Sequence, residues 1–162
     1  FQRTMFSILC PSPFWEDIFY EGHELSYLMG GISFPLHLSA NFSYRGRRKK
    51  LMNKGDVITP IRIEFYGPAS NPSIINETIN EFIKVNKELE EDEILIVDTS
   101  FGNKKVMIQK GDKTIENAFG YIDLDSSFWQ LAVGKNIIRY TSDDDSEKAR
   151  VKISYKNRYI GV

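Results

Sequence analysis

Cysteine is almost missing from this chain. Cys10 is the only one in 162 residues, so no internal disulfide can form and a disulfide-stapled scaffold is excluded. Histidine is scarce too, with His23 and His37 alone. No Cys/His cluster has zinc spacing, and a nucleophile would have few bases to draw on. There is no Gly-x-Ser-x-Gly elbow, and Gly30-Gly31 is not followed by the Lys-Ser/Thr of a phosphate loop. No apolar run approaches the roughly 20 residues of a membrane helix. An excess of one charge is also lacking: 21 basic residues face 22 acidic ones, for a net charge of −1. Such a balance gives no global attraction to nucleic acid or to anionic membrane.

What is present is aromatic and β-branched. Hydrophobic residues make up 41% of the chain and aromatics 13%, enough for one domain with a real core. Two-residue alternation is plain in VITPIRIEFYG, where Ile61, Ile63 and Phe65 face one way and Arg62, Glu64 and Tyr66 the other. It recurs near the C-terminus, where Val151, Ile153 and Tyr155 alternate with Arg150, Lys152 and Ser154. Turn signals punctuate the chain at Gly55-Asp56, Gly67-Pro68, Asn71-Pro72, Gly102-Asn103, Gly111-Asp112 and Gly134-Lys135. This spacing predicts an all-β fold, an antiparallel β-sandwich or barrel, and no crossover helices separate the strands as a parallel sheet would need. The segment from Ile75 to Glu93 reads as helix or strand, and its β-branched content favours strand. Trp129–Ser142 is expected to be a short strand, a Gly-Lys-Asn turn and a second strand. Residues 1–17 are expected to form an arm or linker and 18–162 a single sandwich. The chain opens on Phe1 rather than Met, and is expected to be the C-terminal part of a longer protein.

Few residues qualify for chemistry. Asp123 and Asp125 are a carboxylate pair on an expected strand face that could serve a glycosidase, with solvated surface or a turn as the commoner role. Ser142–Glu147, SDDDSE, supplies oxygen ligands but lacks the glycine of a calcium loop, and reads as an acidic hairpin loop. The basic run Arg45–Lys50 contains Arg47, Arg48, Lys49 and Lys50; it suits an edge strand or a protein interface better than nucleic acid. Phe14 and Trp15 in PSPFWED, and Trp129 in SSFWQLAVG, are candidates for an interface or for stacking on a sugar, with the core as the commoner place for a tryptophan. In ILIVDTSFGNKKVMI the polar knot reads as a hairpin turn. Gly102 and Asn103 supply unusual backbone angles there, and Asp98 binds its own turn.

The order of segments from NKGDVITPIRIEFYG through NPSIINETINEF, ILIVDTSFGNKK and AFGYIDLDSSFW to ARVKISYKNRYIGV resembles the C-terminal part of siphophage distal tail (Dit) proteins, the siphovirus tail components. The Cys10–Trp15 lead-in, CPSPFW, resembles the segment just before that domain. The likeness runs from about Cys10 to Val162, and its specificity lies in order and spacing. One departure is Ile79-Asn80 where the family usually has Thr-Gly. The resemblance implies a galectin-like, jelly-roll type sandwich without enzymatic activity or cofactor, located in the virion tail. It implies a ring, commonly hexameric, formed through a further N-terminal domain. It also implies contacts with other tail or baseplate proteins and, in some members, with host cell-wall carbohydrate.

Overall fold

The computed structural model describes residues 3–7, 12–26, 48–143 and 150–161. The expectations for Cys10, His37, Arg47 and 144–147 lie outside them. The strands, in chain order, are β1 (Phe14–Glu16), β2 (Glu21–Ser26), β3 (Arg48–Asn53), β4 (Ile61–Tyr66), β5 (Ala69–Ser70), β6 (Ser73–Asn76) and β7 (Glu81–Lys84). They continue with β8 (Glu88–Leu89), β9 (Ile94–Asp98), β10 (Lys105–Gln109), β11 (Ile115–Asn117), β12 (Gly134–Thr141), β13 (Arg150–Tyr155) and β14 (Arg158–Ile160). Among the described residues the only helical element is one turn of 3₁₀ helix, Phe119–Tyr121, so none is long and apolar enough to cross a membrane.

The chain is an all-β antiparallel sandwich. One sheet has six strands in the order β11-β10-β9-β4-β13-β2 and the other four, β3-β12-β6-β7. Every pairing is antiparallel. Alternation explains why the layers meet. Ile61, Ile63 and Phe65 of β4 and Val151, Ile153 and Tyr155 of β13 turn inward, and so do Ile138 and Tyr140 of β12 and Ile74 of β6. Phe65 meets Tyr140 edge-on across the layers, ring centroids 5.6 Å apart. Burying a side chain such as Ile138 or Ile153 contributes roughly 1.5–3 kcal/mol.

Four local expectations meet a different outcome. Ile75–Glu93 is not one strand but a hairpin, β6 and β7, followed by the short β8. Its turn holds Asn80 at φ 56°, a left-handed angle that Gly or Asn takes at least cost. Trp129–Val133 makes no strand: Leu131 forms an isolated bridge with Thr59, and Gly134 begins β12 instead of turning it. Thr141 ends β12 in the four-stranded sheet and Arg150 begins β13 in the six-stranded one, so these two strands do not pair as the expected hairpin. Asp123 and Asp125 lie in a turn, where the Asp123 carboxylate accepts the Asp125 N–H at 3.0 Å, rather than on a strand face.

Candidate functional site

The knot at Asp98–Asn103 joins β9 to β10, in the register Lys105 opposite Asp98 to Gln109 opposite Ile94. Asp98 Oδ1 accepts the Ser100 N–H at 2.8 Å, and Gly102 takes φ 72° while Asn103 keeps an ordinary negative φ. Thr99 is buried and extends the ladder: its hydroxyl accepts the Ile61 N–H at 2.9 Å, and its own N–H reaches Ile61 O at 3.0 Å. These bonds turn Asp98 and Thr99 to shaping the backbone.

The two tryptophans part company. Trp129 is 2% exposed and belongs to the core cluster, so its faces meet protein and cannot meet a sugar or a partner. Trp15 is 72% exposed. It stands on β1, which pairs with β14 in the register Phe14 opposite Ile160, Trp15 opposite Tyr159 and Glu16 opposite Arg158. Residues 14–16, within the expected arm, are therefore a strand held by the C-terminal end of the chain. The indole lies against Gly161, where a β-carbon would fall 2.6 Å from Nε1. Arg158 adds an ion pair to Glu16 at 2.9 Å and lies over the Phe14 ring. Beyond the ribbon Ile18, Phe19 and Tyr20 are exposed in sequence, which adds apolar surface beside Trp15.

A polar network fixes the ribbon to the sandwich. Asn157 is buried, and its Nδ2 donates to Asp17 Oδ2 at 2.7 Å and to Glu21 Oε1 at 3.3 Å. Its Oδ1 accepts the Lys54 N–H at 2.9 Å. The Tyr155 hydroxyl is shared between Glu21 Oε2 at 3.0 Å and Met52 O at 2.9 Å. Burial pushes the Tyr155 phenol well above its usual range, and the Glu21 carboxylate beside it adds to the shift. For Glu21 burial acts upward, but hydrogen bonds from Lys54, Tyr155 and Asn157 together hold it below the ordinary glutamate value. Gly55 is required by close approach, since a β-carbon would sit 2.2 Å from Arg158 O.

Between ribbon and sandwich lies an open cavity of ≈ 120 Å³, bordered by Glu16, Tyr20, Arg62, Asp98, Lys156 and Arg158. Its charges are already partnered: Arg158 by Glu16, and Arg62 by Glu64 at 3.2 Å, while Lys156 Nζ sits 4.8 Å from the centre of the Tyr20 ring.

Of the basic run, Arg48, Lys49 and Lys50 open β3, an edge of the four-stranded sheet. Arg48 reaches Glu77 at 2.9 Å, Lys49 donates to Glu24 O on the opposing sheet at 2.6 Å, and Lys50 is exposed. Of the acidic segment, Asp143 is engaged with Asn71 Nδ2 at 2.9 Å and with Lys84 at 3.7 Å. Among the described residues no group of three His, Cys, Asp or Glu is arranged to hold a metal ion.

The fold and its surface define an antiparallel sandwich whose exposed features are faces and a ribbon. Residues 54–159 match the family model of the siphovirus-type tail component, C-terminal domain, and the chain belongs to that family. It is a structural class of virion tail component. Among solved structures, a chain of the phage P2 baseplate in its activated conformation with Ca is similar at 16% identity and a TM-score of 0.46, over 83% of this chain. This chain spans 52% of the length of that baseplate chain. No curated protein matches it.

Proposed function

We propose that this domain is a non-enzymatic docking module of the tail tip, which seats other tail or host-adhesion proteins on its β1–β14 ribbon. One observation carries the reading: Trp15 projects 72% exposed from a ribbon that is itself locked by a buried polar network. A rigid, exposed aromatic anchor is what a binding hot spot requires, because little side-chain freedom is left to lose on association.

The test replaces Trp15 by Ala in phage or prophage particles encoding this chain and quantifies tail composition by mass spectrometry. The docking reading expects tails that retain this chain but lose a neighbouring tail-tip protein. Tails of unchanged composition overturn it.

The same exposed indole favours a second reading, a contact with host cell-wall polysaccharide, because a free indole face stacks on sugar rings. A glycan array with the 162-residue chain separates the two. Binding that disappears in Trp15→Ala supports the carbohydrate reading, and absence of binding leaves the protein partner.

A further inference from the structure

The four-stranded sheet exposes a face that the ribbon does not explain. On β12 the residues Asn136, Ile138 and Tyr140 turn to the core, which leaves Lys135, Ile137, Arg139 and Thr141 facing out. On β3 the outward residues are Arg48, Lys50 and Met52. Register sets Arg48 opposite Arg139, Lys50 opposite Ile137 and Met52 opposite Lys135. Four cations therefore share two adjacent strands. The carboxylate placed among them is Glu77, whose Oε1 takes Arg48 Nη2 at 2.9 Å and Arg139 Nε at 2.8 Å. Arg48 makes a further contact besides Glu77, whereas Lys50 and Lys135 make no ion pair among the described residues, so these two strands keep a positive excess. Farther across the sheet Lys84 stands beside Asp143, so that pair is neutral.

Like charges opposite one another across a strand pair destabilise a sheet. Protection of an open edge explains lysines on β3. It does not explain Lys135 and Arg139, because β12 is an interior strand with β3 on one side and β6 on the other. Between the cations lie apolar groups. Met52 is 47% exposed, and Ile137, Ile75 and Phe82 are half-buried. Toward β7 a groove of ≈ 370 Å³ passes over Ile75 and Phe82, with Lys84 and Arg139 balanced there by Glu81 and Asp143. A bare polyanion such as nucleic acid or a phosphate polymer would satisfy the charges and leave this floor uncovered. A protein surface with carboxylates set around aliphatic side chains satisfies both. Arg, Met and aromatic residues are also the types that protein interfaces enrich.

We infer that the outer face of the four-stranded sheet is a second docking surface, and that its occupant is an acidic protein segment carrying aliphatic side chains between its carboxylates. The inference rests on the docking reading above and adds the chemistry of a partner. Opposite charge speeds the encounter and makes it sensitive to salt, and the apolar floor sets the fit.

The test is fluorescence anisotropy with the 162-residue chain and a labelled short peptide of alternating glutamate and leucine. A glutamate/serine peptide of equal length and a single-stranded DNA oligonucleotide are comparators. The double variant Lys50→Glu/Lys135→Glu reverses the face, and Lys105→Glu/Lys152→Glu makes the same charge change on the other sheet. Lys50→Gln/Lys135→Gln replaces the first pair if thermal melting shows it unfolded. The expected result is binding of the glutamate/leucine peptide that weakens with salt, falls at least about tenfold in the face variant, and stays within about twofold in the control. Absence of binding, equal loss in both variants, or equally tight binding of either comparator overturns the inference. A chain that fails here yet gives Trp15-dependent tail composition loses the second surface and keeps the first.

Discussion

On the six-stranded sheet the outward cations stand beside counter-charges or rings. Arg62 and Lys152 meet Glu64 at 3.2 and 3.7 Å, Lys105 lies opposite Asp98, and Arg150 sits 5.1 Å from the centre of the Tyr66 ring. On the four-stranded sheet Arg48 and Arg139 share Glu77, while Lys50 and Lys135 make no ion pair among the described residues. Both sheets bury the same kind of inner face, so the core does not create this asymmetry. The difference separates charge that closes on itself, as on a solvated face, from charge left facing outward toward a counter-surface. A net charge of −1 conceals both.

The comparison assumes a common core, and the largest expected effect tests that. Ile138→Ala in one sheet and Ile153→Ala in the other should each destabilise by about 2–5 kcal/mol in chemical denaturation, because both side chains are fully buried. A cost confined to one of them breaks the premise that the sheets share a core. Next comes the polar network at one end of the six-stranded sheet. Tyr155→Phe should cost about 1 kcal/mol, since Glu21 and Met52 O lose a shared donor. Glu77→Gln should cost up to about 1 kcal/mol at low salt, and added salt should restore it, because the exposed guanidinium groups then repel through a screened medium. Glu64→Gln on the balanced face should respond less to salt.

Smaller still is a pH effect. The folded Glu21 carboxyl is held below its ordinary value of 4.5, so its contribution is present above that pH and is lost as pH falls through the folded value. Melting curves below pH 4.5 should show this loss, and Glu21→Gln should flatten that part of the profile. The raised Tyr155 phenol has the opposite sign: its contribution holds below pH 10 and fades as pH rises through the folded value. The least effect on stability belongs to Trp15→Ala, within about 0.5 kcal/mol, as expected of a surface side chain.

Much of the sandwich was legible locally. Where a strand has one buried face, as in β4 and β13, the sequence must alternate, and Ile61–Tyr66 and Arg150–Tyr155 do so. The β9–β10 hairpin showed itself because its turn residues interrupt two apolar runs. The β6–β7 hairpin did not, because Ile79 in its turn packs against the core and carries the apolar pattern across the break. The connection from Thr141 to Arg150 misled because sheet membership depends on pairing partners remote in sequence. The same reason hid the β1–β14 ribbon, whose strands are joined across nearly the whole chain. Only the β3 part of the basic face appeared as a run of charge; Lys135 and Arg139 reach it through register with β3.

Lysine footprinting tests the account most directly. Acylation of amines in the free 162-residue chain and in purified tails, followed by mass spectrometry, compares Lys50 and Lys135 with Lys105 on the other sheet. The docking account predicts that Lys50 and Lys135 become protected in tails while Lys105 stays reactive. Equal labelling of Lys50 and Lys135 in the free chain and in tails would contradict it.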